Sequence, residues 1–358
     1  MTLHAARPFL IAAVVLVVLG VVAYLGRARL RGPLAEAARL LASVRSSIGE
    51  ARLHTAGQVA LALWFAYWAA DTISTLARQK APFGQDIRIY YRATQLWLHG
   101  SDPWAASVQV GSHAFSYAGS PATTIILAPS ALLSEGQFTA LWIALSTVCA
   151  VWIVRRLGLP IWWLLFAPTV EAIWSGNPQV VVLALLLAGS GRLGPIADTA
   201  AVALKVYAGV PLLGERSIRR VLAASAFTVA TFLIAPGLWL DYLRSFGSIS
   251  ARLAAESLRG FSAFYYPLLL VPVAIAIALM WRRDRRVAAW LAVPALWPAS
   301  EFHYSTFAMP VMSPILAVLL VIRRQQLPPV VILFDIAWRL GGGPLRRRVS
   351  AWLQQPTG

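Results

Sequence analysis

The chain has 358 residues, of which 59% are hydrophobic and only 13% are charged, and its mean hydropathy is +0.67. A soluble domain carries about 25% charged residues, so this composition excludes an ordinary soluble protein and indicates an integral membrane protein. The formal net charge of +17 does not indicate nucleic acid binding, because the arginines form short clusters between apolar runs. Cys149 is the single cysteine, which excludes a disulfide framework and a cysteine metal site.

Apolar runs recur along the whole chain and predict an all-α membrane protein with about eleven transmembrane helices. Uninterrupted apolar runs differ from the alternating pattern of barrel strands, so a helical bundle is favoured. Several runs are shorter than the roughly 20 residues that span a bilayer, which favours tilted, broken or re-entrant helices among them. The runs lie at residues 8–25, 58–77, 121–134, 137–154, 161–174, 178–190, 197–213, 221–236, 263–281, 287–300 and 305–322.

Arginine clusters give the predicted orientation, because positive residues favour the cytoplasmic side of a membrane. The clusters lie within residues 27–52, 216–220, 282–286, 323–324 and 346–348. Eleven spans then place the two long segments 78–120 and 237–262 outside the cytoplasm. Arg155 and Arg156 fall outside on this count, which favours a re-entrant segment between residues 121 and 190. The predicted location is the plasma membrane, with several passes.

The sequence divides into three predicted regions. Residues 1–57 hold an N-terminal helix and a basic amphipathic segment suited to the anionic cytoplasmic leaflet. Residues 58–322 form one membrane domain, since no internal repeat is present. Residues 323–358 are predicted to be a basic cytoplasmic tail.

The stretch "QDIRIYYRATQLWLHGSDPW", residues 85–104, gathers charged and aromatic residues in the first long outer segment. Its apolar and aromatic side chains recur at helical spacing and predict a short interfacial helix. Asp86 is either the N-cap of a helix that begins at Ile87 or a general base at the membrane surface. Arg88 and Arg92 are candidates for holding an anionic substrate. Spacing alone leaves both interpretations of Asp86 open.

Four further residues stand out in apolar surroundings. Lys205 lies deep in an apolar run, where either a functional site or a snorkelling side chain would explain it. His303 falls on the same predicted side as Asp86, either as a hydrogen-bonded filler or as a site residue. Asp102 belongs to an Asp-Pro turn and is predicted to be structural. Glu171 is a buried acid without an evident partner.

The segment "DIRIYYRATQLWLHGSDPW", followed by "FSYAGSPATTIILAPSALL", resembles the opening of glycosyltransferase family 87. Weaker resemblances follow in the family's order: "SGNPQVVVLALLL", "ALKVYAGVPLL", "ESLRG" and "HYSTFAMPV". Together they cover residues 58 to about 322. Positions that match the first motif are Asp86, Tyr90, Gly100, Asp102, Pro103, Trp104, Phe115 and Tyr117.

The resemblance implies a GT-C type enzyme of the cell envelope that transfers a sugar, most often mannose, from a polyprenyl-phosphate donor to a lipid-linked or glycan acceptor. It implies Asp86 as general base, with an active site on the extracytoplasmic face. His303 joins Asp86 as a catalytic candidate. The residues predicted to bind substrate or phosphate are Arg88, Tyr90, Arg92, Lys205 and Arg259. No cofactor and no metal are expected, because the donor has one phosphate and no local ligand spacing is present.

Three alternatives remain beside this reading. The donor sugar could be arabinofuranose, which the same family also transfers. A transporter of lipids or sugars would share the many spans and the intramembrane lysine, although its two similar halves are absent from the sequence. A non-catalytic scaffold would not need Asp86, Lys205 and His303 on one side. The sequence leaves the sugar, the acceptor and the oligomeric state open.

Overall fold

The computed structural model describes residues 50–189, 194–215, 218–256, 260–298 and 300–341. The described part of the chain is mostly helical, which agrees with the predicted fold class. Its α-helices are α1 (Glu50–Arg78), α2 (Gln85–Leu98), α3 (Pro121–Ile126), α4 (Glu135–Arg156), α5 (Ala167–Ser175), α6 (Gln179–Ala188), α7 (Gly194–Leu204), α8 (Gly209–Gly214), α9 (Ile218–Ile234), α10 (Pro236–Glu256), α11 (Pro267–Arg283), α12 (Arg285–Leu296), α13 (Pro314–Leu319) and α14 (Leu327–Gly341). Of the two units into which the chain divides, at Leu63–Trp64, the second holds every residue of the site below.

Few of these helices have the length and composition of a straight membrane span. Within the described residues, His54–Arg78 and Glu135–Arg156 qualify, and two bent helix pairs raise the number to four if each pair is one span. The bends measure 113° between α5 and α6 and 104° between α9 and α10. Eleven transmembrane helices are therefore not confirmed: several predicted apolar runs are broken into shorter pieces, and the predicted span 8–25 lies outside the described residues.

The breaks occur within three of the predicted spans. A 3₁₀ turn, Ile161–Leu165, precedes α5, and α7 ends at Leu204 where the apolar run continues. The run 305–322 consists of the end of a 3₁₀ segment, Phe302–Val311, followed by the six-residue α13. Irregular backbone at membrane depth is tolerated where it is buried in protein or lines a water-filled cavity. Such breaks can therefore form part of a substrate-binding or catalytic site.

A helix is confirmed where the interfacial helix was predicted, as α2, but it starts earlier than expected. Its position at the membrane interface stays a prediction. Gly84, with φ of 69°, occupies the N-cap position, and no side chain caps the helix. Asp86 lies inside the first turn and is not the N-cap. The capping interpretation of Asp86 was therefore wrong, and its carboxylate is free for another contact.

A β-hairpin follows α2 and was not predicted. Strands β1 (Val108–Val110) and β2 (His113–Phe115) pair antiparallel, with Val110 opposite His113. The connection is Gly111–Ser112, and Gly111 has φ of 62°, as two-residue hairpin turns require. The segment 78–120 is thus structured, as expected from its composition, but it includes a strand pair as well as a helix.

Two segments predicted as a loop and a tail are helical. Most of the segment 237–262 belongs to α10, which follows α9 directly. Part of the predicted tail 323–358 forms α14, where Asp335 is fully buried. Its carboxylate accepts hydrogen bonds from Ser313 Oγ at 2.5 Å and Arg339 Nε at 2.6 Å. The ion pair between Asp335 and Arg339 lets both charged side chains of α14 lie inside the fold.

Candidate active site

The start of α2 meets the break between α5 and α6. Asn177 lies in that break and is 6% exposed. Its Nδ2 donates a hydrogen bond to Asp86 Oδ2 at 2.7 Å, while its Oδ1 accepts one from the backbone N–H of Gln179 at 3.1 Å. Asn177 therefore ties the first turn of α6 to the carboxylate of Asp86 and orients that carboxylate.

Glycine allows this close approach. Gly176 has φ of 68°, and a Cβ atom there would lie 2.8 Å from Ile87 Cγ2. The backbone N–H of Gly84 donates to the carbonyl of Trp174 at 2.9 Å. Any larger residue at position 176 would be strained by its backbone and would also push α2 away. Gly176, in the sequence "SGNP", thus allows Asp86 to lie beside Asn177.

Lys205 reaches the same face of α2. It has an extended backbone between α7 and the 3₁₀ turn Val206–Ala208, so it is not in mid-helix as predicted. Its Nζ lies 5.2 Å from the ring centroid of Tyr90, within range of a cation–π contact. Tyr90 is one helical turn after Asp86, so the two side chains share a face of α2. The break in the helix brings the lysine toward this face.

The break at Lys205 has its own hydrogen-bond partner. Thr123 Oγ1 donates to the carbonyl of Ala203 at 2.7 Å, with a longer contact to the carbonyl of Leu204 at 3.3 Å. These carbonyls lie at the end of α7, where no further turn is present to use them. The conformation that exposes Lys205 is therefore supported from α3.

A second group of charges approaches from the segment after α12. His303 is 1% exposed, and its Nδ1 lies 3.6 Å from Glu171 Oε1 and 3.8 Å from Glu301 Oε2. Glu171 Oε2 accepts a hydrogen bond from Arg323 Nε at 2.7 Å. The buried acid of α5 thus has two partners, which lie at opposite ends of the predicted span 305–322.

The side chain of Glu301 is 61% exposed. The charges of His303, Asp86, Glu171 and Lys205 all act on its carboxylate. Glu301 therefore lies at the solvent-facing edge of both groups of charges.

We call Asp86, Glu171, Lys205, Glu301, His303 and Arg323 the charged cluster. Burial lowers the pKa of His303, but the nearby carboxylates of Glu171 and Glu301 outweigh this and raise the pKa. Burial, followed by the charges of Asp86 and Glu301, raises the pKa of Tyr90, which stays a neutral phenol. Burial also raises the pKa of Tyr304, to about 12. The charged side chains of the cluster therefore lie next to tyrosines that remain neutral, Tyr90 and Tyr304.

Arg88 and Arg92 of α2, which were predicted to bind substrate or phosphate, lie beside Glu135 instead. Arg92 Nε donates to Glu135 Oε2 at 2.6 Å, and Arg88 lies 3.8 Å from the same carboxylate. Arg92 also donates to the carbonyl of Gln109. Positions 88 and 92 are on the opposite face of α2 from Asp86. The structure thus joins Asp86, Tyr90, Lys205 and His303, but not Arg88 and Arg92; Arg259 lies outside the described residues.

Asp102 has the contacts of a turn residue. Its Oδ1 accepts a hydrogen bond from the backbone N–H of Trp104 at 2.8 Å, and its Oδ2 accepts one from Ser245 Oγ at 3.3 Å. Both carboxylate oxygens are used to hold local structure. This placement is what a structural role requires.

Three members of the site were missed or misplaced by sequence reasoning. Asn177 carried no charge to draw attention to it. Glu171 was noticed, and the cost of an acid in an apolar segment could have prompted a search for a cationic partner. Arg323 was assigned to the cytoplasmic side, yet it and His303 both contact Glu171. The residues that flank the run 305–322 therefore both lie beside Glu171.

No family model, curated protein or solved structure matches this chain.

Proposed function

We propose that the protein is a membrane glycosyltransferase that moves a sugar, in the first instance mannose, from a polyprenyl monophosphate to a lipid-linked or glycan acceptor. The observation that carries the proposal is the position of Asp86. Asn177 orients its carboxylate at 2.7 Å, and Lys205 approaches Tyr90 on the same face of α2. The family 87 resemblance independently selects the same aspartate.

The reaction needs only groups that the cluster supplies. Asp86 takes the proton of the acceptor hydroxyl as its oxygen attacks the anomeric carbon of the sugar. The bond from that carbon to the phosphate oxygen breaks, and polyprenyl monophosphate leaves with the electron pair. Lys205 supplies positive charge for the departing phosphate, as electrostatic stabilisation of developing charge requires. A phosphate leaving group makes protonation by an acid unnecessary.

The helix breaks support this assignment. A lipid-linked donor must bring a polar headgroup to a protein surface at the membrane, and continuous helices would offer no polar backbone or charged recess there. Asp86, Lys205 and Glu301 each lie beside an interruption of an apolar segment. Glu301 remains accessible to solvent, so an acceptor hydroxyl can approach the charged cluster.

The proposal is tested by sugar transfer with the purified chain in nanodiscs. Radiolabelled polyprenyl-phosphate mannose is offered with membrane lipid extract as acceptor, in parallel with guanosine diphosphate mannose. Product is expected from the lipid donor alone. Transfer from the nucleotide sugar, with none from the lipid donor, would contradict the proposal.

Two further assays distinguish the mannosyltransferase from an arabinofuranosyltransferase and from a transporter. Polyprenyl-phosphate arabinofuranose in place of the mannose donor identifies an arabinofuranosyltransferase if product forms only from that donor. Sealed vesicles that contain the protein and labelled lipid donor report transport, because a transporter would move the donor between leaflets without forming product. The Asp86→Asn variant is the matched control for each arm.

A further inference from the structure

Three potential metal ligands converge within the charged cluster from separate parts of the chain. Glu171 comes from α5, whereas Glu301 and His303 come from the start of the 3₁₀ segment after α12. One ligand atom from each lies within 4.8 Å of the other two. The Nδ1 of His303 is 3.6 Å from Glu171 Oε1 and 3.8 Å from Glu301 Oε2.

The imidazole of His303 gives a second, independent indication of a ligand. It is 1% exposed, and neither ring nitrogen has a hydrogen-bond partner of acceptable geometry among the described residues. A buried polar group without a partner is costly and calls for an explanation such as an ion. Its Nδ1 is directed between two carboxylate oxygens, which is where a cation would lie.

We propose that Glu171, Glu301 and His303 bind a divalent cation of the Mn²⁺ or Zn²⁺ type. One imidazole nitrogen with two carboxylate oxygens suits these ions better than Mg²⁺ or Ca²⁺, which prefer oxygen alone. Ligands of a tetrahedral ion at 2.0–2.2 Å lie about 3.4 Å apart, so the observed separations require only a small closure. Local spacing could not predict the site, because Glu171 is distant in sequence.

The neighbouring residues are those that a metal site needs. Arg323 Nε holds the second oxygen of Glu171 at 2.7 Å and so fixes the orientation of this ligand. Glu301 is 61% exposed and provides an entry path for the ion. The site thus has one open ligand and two buried ones.

The charges explain what the ion would add. With three carboxylates against Lys205 and Arg323, the formal charge of the cluster is negative when His303 is neutral. A divalent cation makes it positive, which favours an anionic phosphate beside Asp86. Cation binding itself does not depend on the proposed function, whereas this consequence rests on it.

The test is direct titration of the purified, metal-stripped full chain with Mn²⁺, without donor or acceptor. Electron paramagnetic resonance reports free Mn²⁺, and competition with Zn²⁺ reports the preferred ion. About one ion per chain is expected, with affinity at least tenfold weaker in Glu301→Gln and in His303→Gln. Asp241→Asn is the matched control, because Asp241 is an exposed carboxylate paired with Arg244.

Glu301→Gln keeps the test interpretable, since an exposed side chain can be changed with little effect on folding; thermal denaturation checks this. Absence of saturable Mn²⁺ and Zn²⁺ binding to the folded wild type would overturn the proposal. Equal affinity in folded Glu301→Gln and His303→Gln would overturn it as well. Metal binding by a protein that fails every transfer assay would leave this inference standing and reject the proposed function instead.

Discussion

Asn177 donates a hydrogen bond to Asp86 across two segments that are far apart in sequence, with 2.7 Å between Nδ2 and Oδ2. The same side chain accepts from the backbone of Gln179, so its position is fixed at both ends. A carboxylate held in one orientation can act as a base without first ordering itself. This relationship distinguishes Asp86 from Asp102, whose two oxygens accept from its own turn, at Trp104, and from Ser245 of α10.

Asp86→Asn should lower the turnover of sugar transfer by a factor of about 10² to 10⁴, the usual contribution of a general base. Asparagine has the same shape, and Asp86 does not cap α2, so the fold should be retained. Transfer from lipid donor in nanodiscs measures the effect at matched amounts of folded protein. Asp102→Asn is the control and should mainly lower thermal stability. Near-normal turnover in Asp86→Asn, with none in Asp102→Asn, would show that the wrong carboxylate was chosen.

Asn177→Ser should reduce turnover about tenfold, because it removes a charge-assisted hydrogen bond worth roughly 1.5 to 3 kcal/mol. Serine keeps an oxygen near the start of α6 and remains a good capping residue. The informative measurement is the double variant. In an Asp86→Asn background the serine should cause no further loss, because Asn177 acts through Asp86. Two additive losses would mean that Asn177 has a separate role.

Lys205→Met should raise the Michaelis constant for the lipid donor more than it lowers turnover. Methionine keeps most of the apolar stem, so the change removes chiefly the charge that is proposed to contact phosphate. An affinity loss of about tenfold or more is expected from a charge-assisted contact. Lys80→Met is the matched control, since Lys80 is exposed in the turn after α1. A similar effect of both variants would indicate a general change in surface charge.

Arg323→Met should lower the free energy of unfolding by about 3 kcal/mol, because it leaves Glu171 buried without its cationic partner. Replacing both residues, as Arg323→Met with Glu171→Met, should recover much of this loss, since a buried ion pair and an apolar pair are often equivalent. Thermal denaturation in detergent compares the two. Arg244→Met, which breaks an exposed pair with Asp241, should have little effect. Equal stability of the Arg323 variant and wild type would contradict the pairing.

The sequence predicted the helical class and α2 because both depend on local pattern. It also selected Asp86, Lys205 and His303, whose charge is conspicuous in an apolar chain. It did not predict that Lys205 interrupts a helix, since apolar composition does not reveal where backbone hydrogen bonds end. Eleven spans are not confirmed for the same reason, since several predicted runs are broken in the described part of the chain.

Contacts between segments that are far apart in sequence could not be predicted from local sequence patterns. Glu171 had no partner within reach of a helical turn, and its partners came from positions 303 and 323. Arg323 was placed by a rule that counts arginines near the ends of presumed spans. That rule takes no account of an arginine that pairs with a buried acid inside the fold, as Arg323 does with Glu171. The side on which Arg323 lies stays a prediction.

The orientation of the site is a prediction that cysteine labelling can check. Ser112 lies exposed at the hairpin turn, and no apolar run separates it from Asp86, so both should be outside the cytoplasm. In a Cys149→Ala background, which removes the only native cysteine, Ser112→Cys should react with an impermeant maleimide in intact cells. Arg286→Cys, in a predicted cytoplasmic cluster, should react only after permeabilisation.

Gln325→Cys decides the course of the run 305–322. Arg323 and His303 meet at Glu171, so exposed Gln325 should be labelled from the same side as Ser112. A straight span would place it with Arg286 instead. Should Ser112→Cys react only after permeabilisation, Asp86 would face the compartment that contains nucleotide sugars. The case for a lipid-linked donor would then fail, because the enzyme would have no need of a sugar carried across the membrane on a polyprenyl phosphate.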